Sequence, residues 1–460
     1  MVDVRTEGVG GFEDVRLQAR SRSMMEAVQR RPGVSLPIAM GSTAAREAAY
    51  RFLSNRRVTL GRVLATHIEA TAARARLAER ILLISDTTEF RFSTEREGLG
   101  MLSSPRRDGF LGQFTLAVSA DGKRTPLGVL AVETLTRPVR KAKRDHFARK
   151  KDPTRESLRW YRCADQANRQ VEGVEAIHVM DREADIFELL SALIRDGRRF
   201  IIRSAQDRSV EEGRLVSTVA AASMQFSREV KLSARQTAKG PESRRTHPAR
   251  QGRIARLAIS STPVALRKAT SACDPELPDS ITVNVVRVWE PEPPTGQEPV
   301  EWRLFTTEPI ETQEQLEAIV DGYRARWVIE EYFKALKTGC NFESAQLESL
   351  HSLENLLGIY IPVAWQLLAL RSLMRDEPEK PALTVLTKTQ LAVLRLIKQG
   401  AALPPEPTIA QVAEAIAQLG AHIKSNGPPG WQVLGRGFEE LRRAEFLYSQ
   451  IISASSSDQS

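Results

Sequence analysis

Five side chains between Tyr323 and Lys337 are spaced to act together, in a segment that reads YRARWVIEEYFKALK. Wound as one helix at about 100° per residue, Tyr323, Arg326, Glu330, Lys334 and Lys337 fall within roughly 80° of one another. Val328, Tyr332, Ala335 and Leu336 take the opposite side. A face with a tyrosine, an arginine, two lysines and one carboxylate suits an anion. Ammonium and guanidinium groups bind phosphate oxygens through charge-assisted hydrogen bonds.

Two aspartates upstream bear on what that face does. Asp86 shares one face of an expected strand with Leu82, Ile84, Thr88, Phe90 and Phe92. A carboxylate among apolar neighbours is costly unless it is paired or holds a metal; a partly exposed aspartate at a strand irregularity is the alternative. Asp181 ends the apolar run IHVM and precedes Arg182-Glu183-Ala184-Asp185, a place that also fits capping of a helix start. Glu330 alone fits a solvated helix residue or an i,i+4 partner of Lys334 or Arg326. Taken together, two strand-borne aspartates and a helix-borne glutamate are the hard oxygen set that suits a pair of Mg²⁺ ions, with Mn²⁺ as a substitute. Two such ions, roughly 3.5–4 Å apart, activate an attacking oxygen and stabilise a leaving one in phosphoryl transfer. Bringing the carboxylates together is the task of the fold.

The elements that must do so are legible in outline. Residues 12 to 60 read as basic helices broken at Pro32-Gly33. A strand begins at Ile81 to Ser85 and runs through Asp86 to Phe92; two more follow, Gly112 to Val118 and Pro126 to Leu135, joined by a turn at Ala120-Asp121-Gly122. Residues 137–151 hold eight Lys/Arg against one Asp and read as an exposed loop. Ala176 to Met180 is a short strand leading into a helix from Asp185 to Ile194, and Arg199 to Ser204 is another strand. Between 205 and 308 short alternating segments replace helical ones: Val230 to Ala234, Arg253 to Ser260, Ser280 to Trp289 and Val300 to Thr306. A capping box at Thr312 to Gln315 opens one long helix, with Gly339 as its left-handed C-cap. The last 80 residues read as helices broken at Pro404-Pro405 and near Pro428-Pro429, ending in a disordered serine-rich tail.

Composition sets the frame. A chain of 460 residues with 42% hydrophobic and 27% charged residues and a net charge of +9 suits a multidomain protein with a polyanionic partner. The longest apolar run, Gly358 to Leu370, is short for a bilayer span and contains Pro362, and no signal-peptide core is seen. The three cysteines and six histidines are scattered, which indicates neither a disulfide framework nor zinc. The chain reads as cytoplasmic, with no membrane partner.

These residues resemble a known family. Tyr323, Arg326, Glu330 and Lys337 match the Y-x2-R-x3-E-x6-K signature of the insertion-sequence-four family of DDE transposases. ISDTT at 84–88 and MDREADI at 180–186 resemble the segments that carry its two catalytic aspartates, and AAYRF at 48–52 and LFTTEPIE at 304–311 extend the likeness along the chain. The resemblance implies an α/β, ribonuclease H-like catalytic core (61–376) with a β-rich insertion (about 205–308), flanked by a helical end-DNA-binding domain (1–60) and a helical dimerisation domain (377–460). It implies Asp86, Asp181 and Glu330 as metal-binding catalytic residues with two Mg²⁺ ions. Arg326, Lys334 and Lys337 match positions that grip end-DNA phosphates. Tyr323, Arg203 and Arg51 match other DNA contacts, and Glu348 is a matched position beside Gln346, where the family places an arginine. Trp302 matches a tryptophan that stacks on a base flipped out during hairpin formation, a role that needs a π-surface. Read from the strand alone, Trp302 equally fits a core position alongside Leu304 and Thr306, and Arg51 fits a solvated helix arginine.

The activity implied is cut-and-paste transposition on double-stranded DNA, both inverted-repeat ends and target, by a homodimer in a synaptic complex in the bacterial cytoplasm at the nucleoid. A catalytically silent end-binding repressor is the alternative; a glycosidase using paired carboxylates leaves the cations around Glu330 unexplained. Trp431, Leu434, Phe438 and Leu441 share a helical stripe that reads either as a dimer interface or as packing within the chain.

Overall fold

The computed structural model describes residues 11–102, 108–137, 152, 155–232, 251–269, 276–397, 403–423 and 429–457. The basic loop expected at 137–151 falls almost wholly outside them. The chain divides into two compact units, residues 1–143 with 162–175 and 327–460, and residues 144–161 with 176–326.

The first unit begins with four helices, α1 (Val15–Arg30), α2 (Leu36–Met40), α3 (Thr43–Ser54) and α4 (Leu60–Arg76). Asp14, Ser42 and Thr59 cap α1, α3 and α4 with their side chains, satisfying amides that would otherwise lack partners. An antiparallel sheet follows: β1 (Arg80–Phe92), β2 (Gly100–Met101), β3 (Asp108–Ser119) and β4 (Pro126–Leu135), with β3 paired to the other three. Helix α4 lies against β4 so closely that a Cβ on Gly128 would stand 2.1 Å from Thr71 Oγ1; its φ of +140° and the neighbouring register shifts show why glycine is required there. Helix α5 (Arg159–Gln170) leads out of this half of the unit.

The second unit carries β5 (Glu175–Met180), α6 (Phe187–Arg195) and β6 (Arg199–Arg203), a parallel β-α-β turn in which Met180 pairs with Ile202. Next come β7 (Ser209–Val210), β8 (Gly213–Arg214), α7 (Leu215–Ala221), β9 (Phe226–Leu232), β10 (Arg253–Arg267), β11 (Ser280–Trp289) and β12 (Glu301–Thr306). Their order from β6 is β12, β11, β10, with β9 and β7 also on β10. The β-rich character expected of 205–308 holds, with two differences. The seven-residue α7 was not foreseen, and β10 runs past Ser260 to Arg267 through Pro263. Helix α8 (Gln313–Arg324) closes this unit, its Thr312/Gln315 capping box present as read from the sequence.

The single long helix expected from Thr312 to Gly339 is not formed. The chain turns at Ala325-Arg326, restarts as α9 (Trp327–Lys334) and ends in a π-helical segment, Ala335–Gly339. The reason is phase. Buried Leu316, Ile319, Val320 and Tyr323 form one apolar stripe and buried Val328, Ile329, Tyr332 and Phe333 another, while Trp327 between them is 59% exposed. The five-residue step from Tyr323 to Val328 puts the stripes out of register, so an unbroken helix cannot bury both. Gly339 lies inside the π segment, and the left-handed residue is Asn341 at φ 52°.

Helix α10 (Leu350–Asp376) is the spine of the first unit. It incorporates the Gly358–Leu370 run and, at 27 residues, is long and apolar enough to cross a bilayer, against the expectation from the run alone; 94% of its most apolar window is buried inside the protein. Asn355 Nδ2 on it donates to Leu53 O and Val58 O at 2.8 and 3.1 Å, tying the N-terminal helices to it. Three helices complete the chain: α11 (Lys388–Ile397), α12 (Ile409–Leu419) and α13 (Trp431–Ser457). Leu434, Phe438 and Leu441 are buried within the chain, which settles that stripe as internal packing; the exposed apolar residues of α13 are Phe446, Leu447, Ile451 and Ile452. The serine tail expected to be disordered is helical as far as Ser457, since extending an existing helix adds a hydrogen bond per residue without a new nucleus.

Candidate nucleic-acid interface and catalytic carboxylates

In the first unit, an aromatic cluster sets where the carboxylates stand. Asp86 pairs across β1 and β3 with Phe114, so the two side chains share a face, as do Phe90 and its partner Phe110. The Phe114 ring meets Tyr332 at 5.9 Å and Phe333 at 5.4 Å, both on α9. Phe90 meets Phe110 and Phe342 at 5.0 Å each, and Phe342 meets Tyr360 at 5.9 Å. Each such pair contributes about 0.5–1.5 kcal/mol beyond its buried area. The rings therefore clamp α9 over the sheet face that bears Asp86. Glu330, one turn before Phe333 and about 60° round the helix from it, is half-buried on that helix. Asp86 is half-buried as well, its carboxylate accepting from Thr87 N at 2.8 Å.

Lys334 is exposed and Lys337 is half-buried. The Lys337 ammonium donates to Glu89 O at 2.5 Å and lies 5.4 Å from the Phe90 ring centroid. Burial lowers its pKa, and Arg91 lowers it further against the opposing pull of Glu343 and Glu89. Glu348 is exposed, its carbonyl accepting from Glu97 N at 3.0 Å. Arg51, in the last turn of α3, is exposed, with Arg56 and Arg57 exposed just beyond it.

The second unit gathers the others. Asp181 follows β5 and caps a short 3-10 turn (Arg182–Ala184), its Oδ1 accepting from Glu183 N at 2.8 Å; the capping role read as an alternative is thus realised. Arg203 ends β6 opposite Leu304, which places it on the face of β12 that carries Trp302. The Arg203 guanidinium donates to Glu301 O at 3.4 Å, and its charge acts on the Tyr323 hydroxyl. Burial raises the pKa of that hydroxyl, with Arg203 and Arg326 acting against the rise and Asp181 adding to it. Trp302 is half-buried and meets Tyr323 edge-on, at 5.5 Å between ring centroids and 61° between planes. Leu304 and Thr306 pack into the core; Trp302 does not follow them fully.

The stripe drawn from Tyr323 to Lys337 is accordingly two pieces. Tyr323 and Arg326 belong with Asp181 in one unit, and Glu330, Lys334 and Lys337 with Asp86 in the other. Within either unit, among the described residues, no three His, Cys, Asp or Glu side chains are grouped to hold an ion. The donor chemistry still fits Mg²⁺, which is commonly held by one or two carboxylates, with water and substrate phosphate filling its other positions.

Two groups of residues were not foreseen. Asp321 on α8 binds Arg228 of β9 through both nitrogens, at 3.0 and 2.5 Å, and Arg324 at 2.8 Å, fixing the helix that presents Tyr323. Asp185, at the end of the Asp181 turn, is buried against Arg208 at 2.6 Å. The signal for the second pair was an arginine five residues after Arg203, in RSAQDR.

Residues 10–58 match the transposase DNA-binding family and residues 138–363 match the transposase DDE domain family. The second match contains Asp181 and Glu330 and begins after Asp86. Among solved structures, the piggyBac transposase synaptic complex with hairpin DNA is similar at 7% identity and a TM-score of 0.31, over 65% of this chain. The chain spans about half (48%) of the length of that one. The chain therefore carries a transposase DNA-binding domain over residues 10–58 and a transposase DDE domain over residues 138–363.

Proposed function

We propose that this is a cut-and-paste DNA transposase of the insertion-sequence-four family, akin to the transposase of transposon Tn-five, with a ribonuclease H-like core. The observation that carries the reading is the DDE-domain match over the segment that holds both Asp181 and Glu330. In this reading residues 1–60 bind the inverted-repeat ends through Arg51, residues 61–376 cut and join DNA, and residues 377–460 help pair two copies on DNA. Asp86, Asp181 and Glu330 would hold two Mg²⁺ ions, or Mn²⁺ in their place. Bound divalent ions supply activation of the attacking oxygen and stabilisation of the leaving one. Arg326, Lys334 and Lys337 hold the phosphates of the end, and Tyr323, Arg203 and Glu348 set the position of the strand. Water attacks one strand at the element's end, and the freed 3′-hydroxyl attacks the opposite strand to form a hairpin. Trp302 receives the base extruded at that step. A second water opens the hairpin, and the 3′-ends are joined to target DNA.

The test uses duplex DNA bearing the inverted repeats that flank the gene, with and without Mg²⁺. Cleavage that requires the metal and is lost in Glu330→Ala and Asp86→Asn is the expected result. End binding without cleavage by the unaltered protein would leave only the silent repressor. Full activity in Glu330→Ala would remove Glu330 from the proposed metal site.

A further inference from the structure

We propose that Asp185, together with Arg208, is a positioning residue for DNA cleavage, locking the turn that carries Asp181 to the turn that follows Arg203. The proposal rests on the reading of the chain as a DNA-cleaving transposase.

The Asp185 side chain is wholly enclosed, and that of Arg208 is 8% exposed. Asp185 Oδ2 accepts from Ala205 N at 2.7 Å and from Gln206 N at 3.1 Å, while the Ser204 hydroxyl beside it donates to Gln206 O at 3.1 Å. Its Oδ1 accepts from Arg208 Nε at 2.6 Å, and Arg208 Nη2 reaches back to the Asp185 carbonyl at 2.5 Å. One carboxylate thus gathers the loop 204–208, directly after Arg203, onto the end of the turn that begins at Asp181. The turn itself is closed by Ala184 N to Asp181 O at 3.2 Å and Asp185 N to Arg182 O at 3.3 Å. On the other side, Ser204 N donates to Arg303 O at 2.8 Å, which continues the alignment of β6 with the strand carrying Trp302.

Stability alone is a weak reason for this arrangement. A buried ion pair is often no better for stability than apolar side chains of similar volume, because both charges must be desolvated. What it adds is direction: four hydrogen bonds, which apolar contacts cannot supply. Directional control is needed here, because Asp181 and Arg203, which pairs with Leu304 on the strand that carries Trp302, sit on the two segments being joined. A displacement of about 1 Å at reacting groups costs roughly 10²-fold in rate.

The experiment compares the full-length protein with Asp185→Asn, which keeps the volume and an acceptor for Ala205 N but loses the charge facing Arg208. The probes are duplex DNA bearing the flanking inverted repeats, with Mg²⁺. The expected result is a cleavage rate at saturating DNA reduced by about 10²-fold, unchanged affinity for the DNA, and faster amide hydrogen exchange confined to residues 181–186 and 203–208. A role in folding alone would leave the rate per folded molecule at saturating DNA unchanged, and that result overturns the proposal. Arg208→Lys carries the same test, by the same criteria, if Asp185→Asn does not fold. Failure of the unaltered protein to cut its end DNA would defeat the transposase reading; cutting by both proteins at equal rates defeats only this one.

Discussion

Replacing Trp302 by alanine should separate two steps of the proposed reaction. Trp302 is half-buried and meets the Tyr323 ring edge-on, 5.5 Å away. Loss of that edge-on pair costs about 0.5–1.5 kcal/mol of stability beyond the buried area, a modest change for a chain of this size. Stacking of an extruded base on an aromatic ring is worth about 1–3 kcal/mol. Withheld from the step that needs it, that energy slows the step by about 5- to 150-fold. The first nick, in which no base is extruded, keeps its rate. Pre-nicked and intact end DNA, incubated with Mg²⁺ and resolved on denaturing gels, report hairpin and nick separately. Trp302→Phe keeps a smaller π-surface and should fall between the two. Equal slowing of nick and hairpin, or hairpin formation at the unaltered rate, would refute the assignment and return Trp302 to a packing role.

Two further predictions concern pH. Burial alone would raise the pKa of Asp321, but Arg228 and Arg324 more than reverse this and hold it below its ordinary 3.8. Its stabilising contribution is complete above about pH 4 and is lost as pH falls through the lower native value. Asp321→Asn should flatten the acid limb of a melting-temperature profile below pH 4, and an unchanged limb would count against the ion pair. Glu354 behaves oppositely: burial raises its pKa above 4.5, against the Thr134 hydroxyl that donates to it at 2.5 Å and against His351. The native state then holds this proton longer than the unfolded chain, so its contribution is greatest below pH 4.5 and declines as pH rises through the native value. Glu354→Gln should therefore gain stability relative to the unaltered protein between pH 4 and pH 7, measured by calorimetry; parallel curves would show that Glu354 titrates normally.

Strands were the most legible part of this chain. The bounds of β4 and β11 follow from alternation and turn residues, and β1 runs through Asp86 to Phe92 as its pattern requires. The site could be proposed from the sequence as a set of residues, because types, spacing and a family resemblance single them out. It was not legible as an arrangement. The helix break at Ala325-Arg326 depends on which partner each apolar stripe buries against, and a helical projection assumes one partner throughout. The left-handed residue moved from Gly339 to Asn341 because a π segment takes up the extra residue before the chain turns. Leu434, Phe438 and Leu441 show the limit most simply. A helical stripe says that something covers it, and only the fold says that the cover is the same chain.

The pairing of Phe90 with Phe110 and of Asp86 with Phe114 has a consequence for how the protein forms. Side chains alternate across a strand, so slipping β1 by one residue against β3 would turn Asp86 to the opposite face. The same slip would pull Phe90 and Phe92 out of their aromatic contacts, leaving large rings in water. A misregistered chain is thus penalised heavily by residues that take no part in chemistry. The phenylalanines act as proofreaders during folding, and a chain that passes their check has already aimed its aspartate.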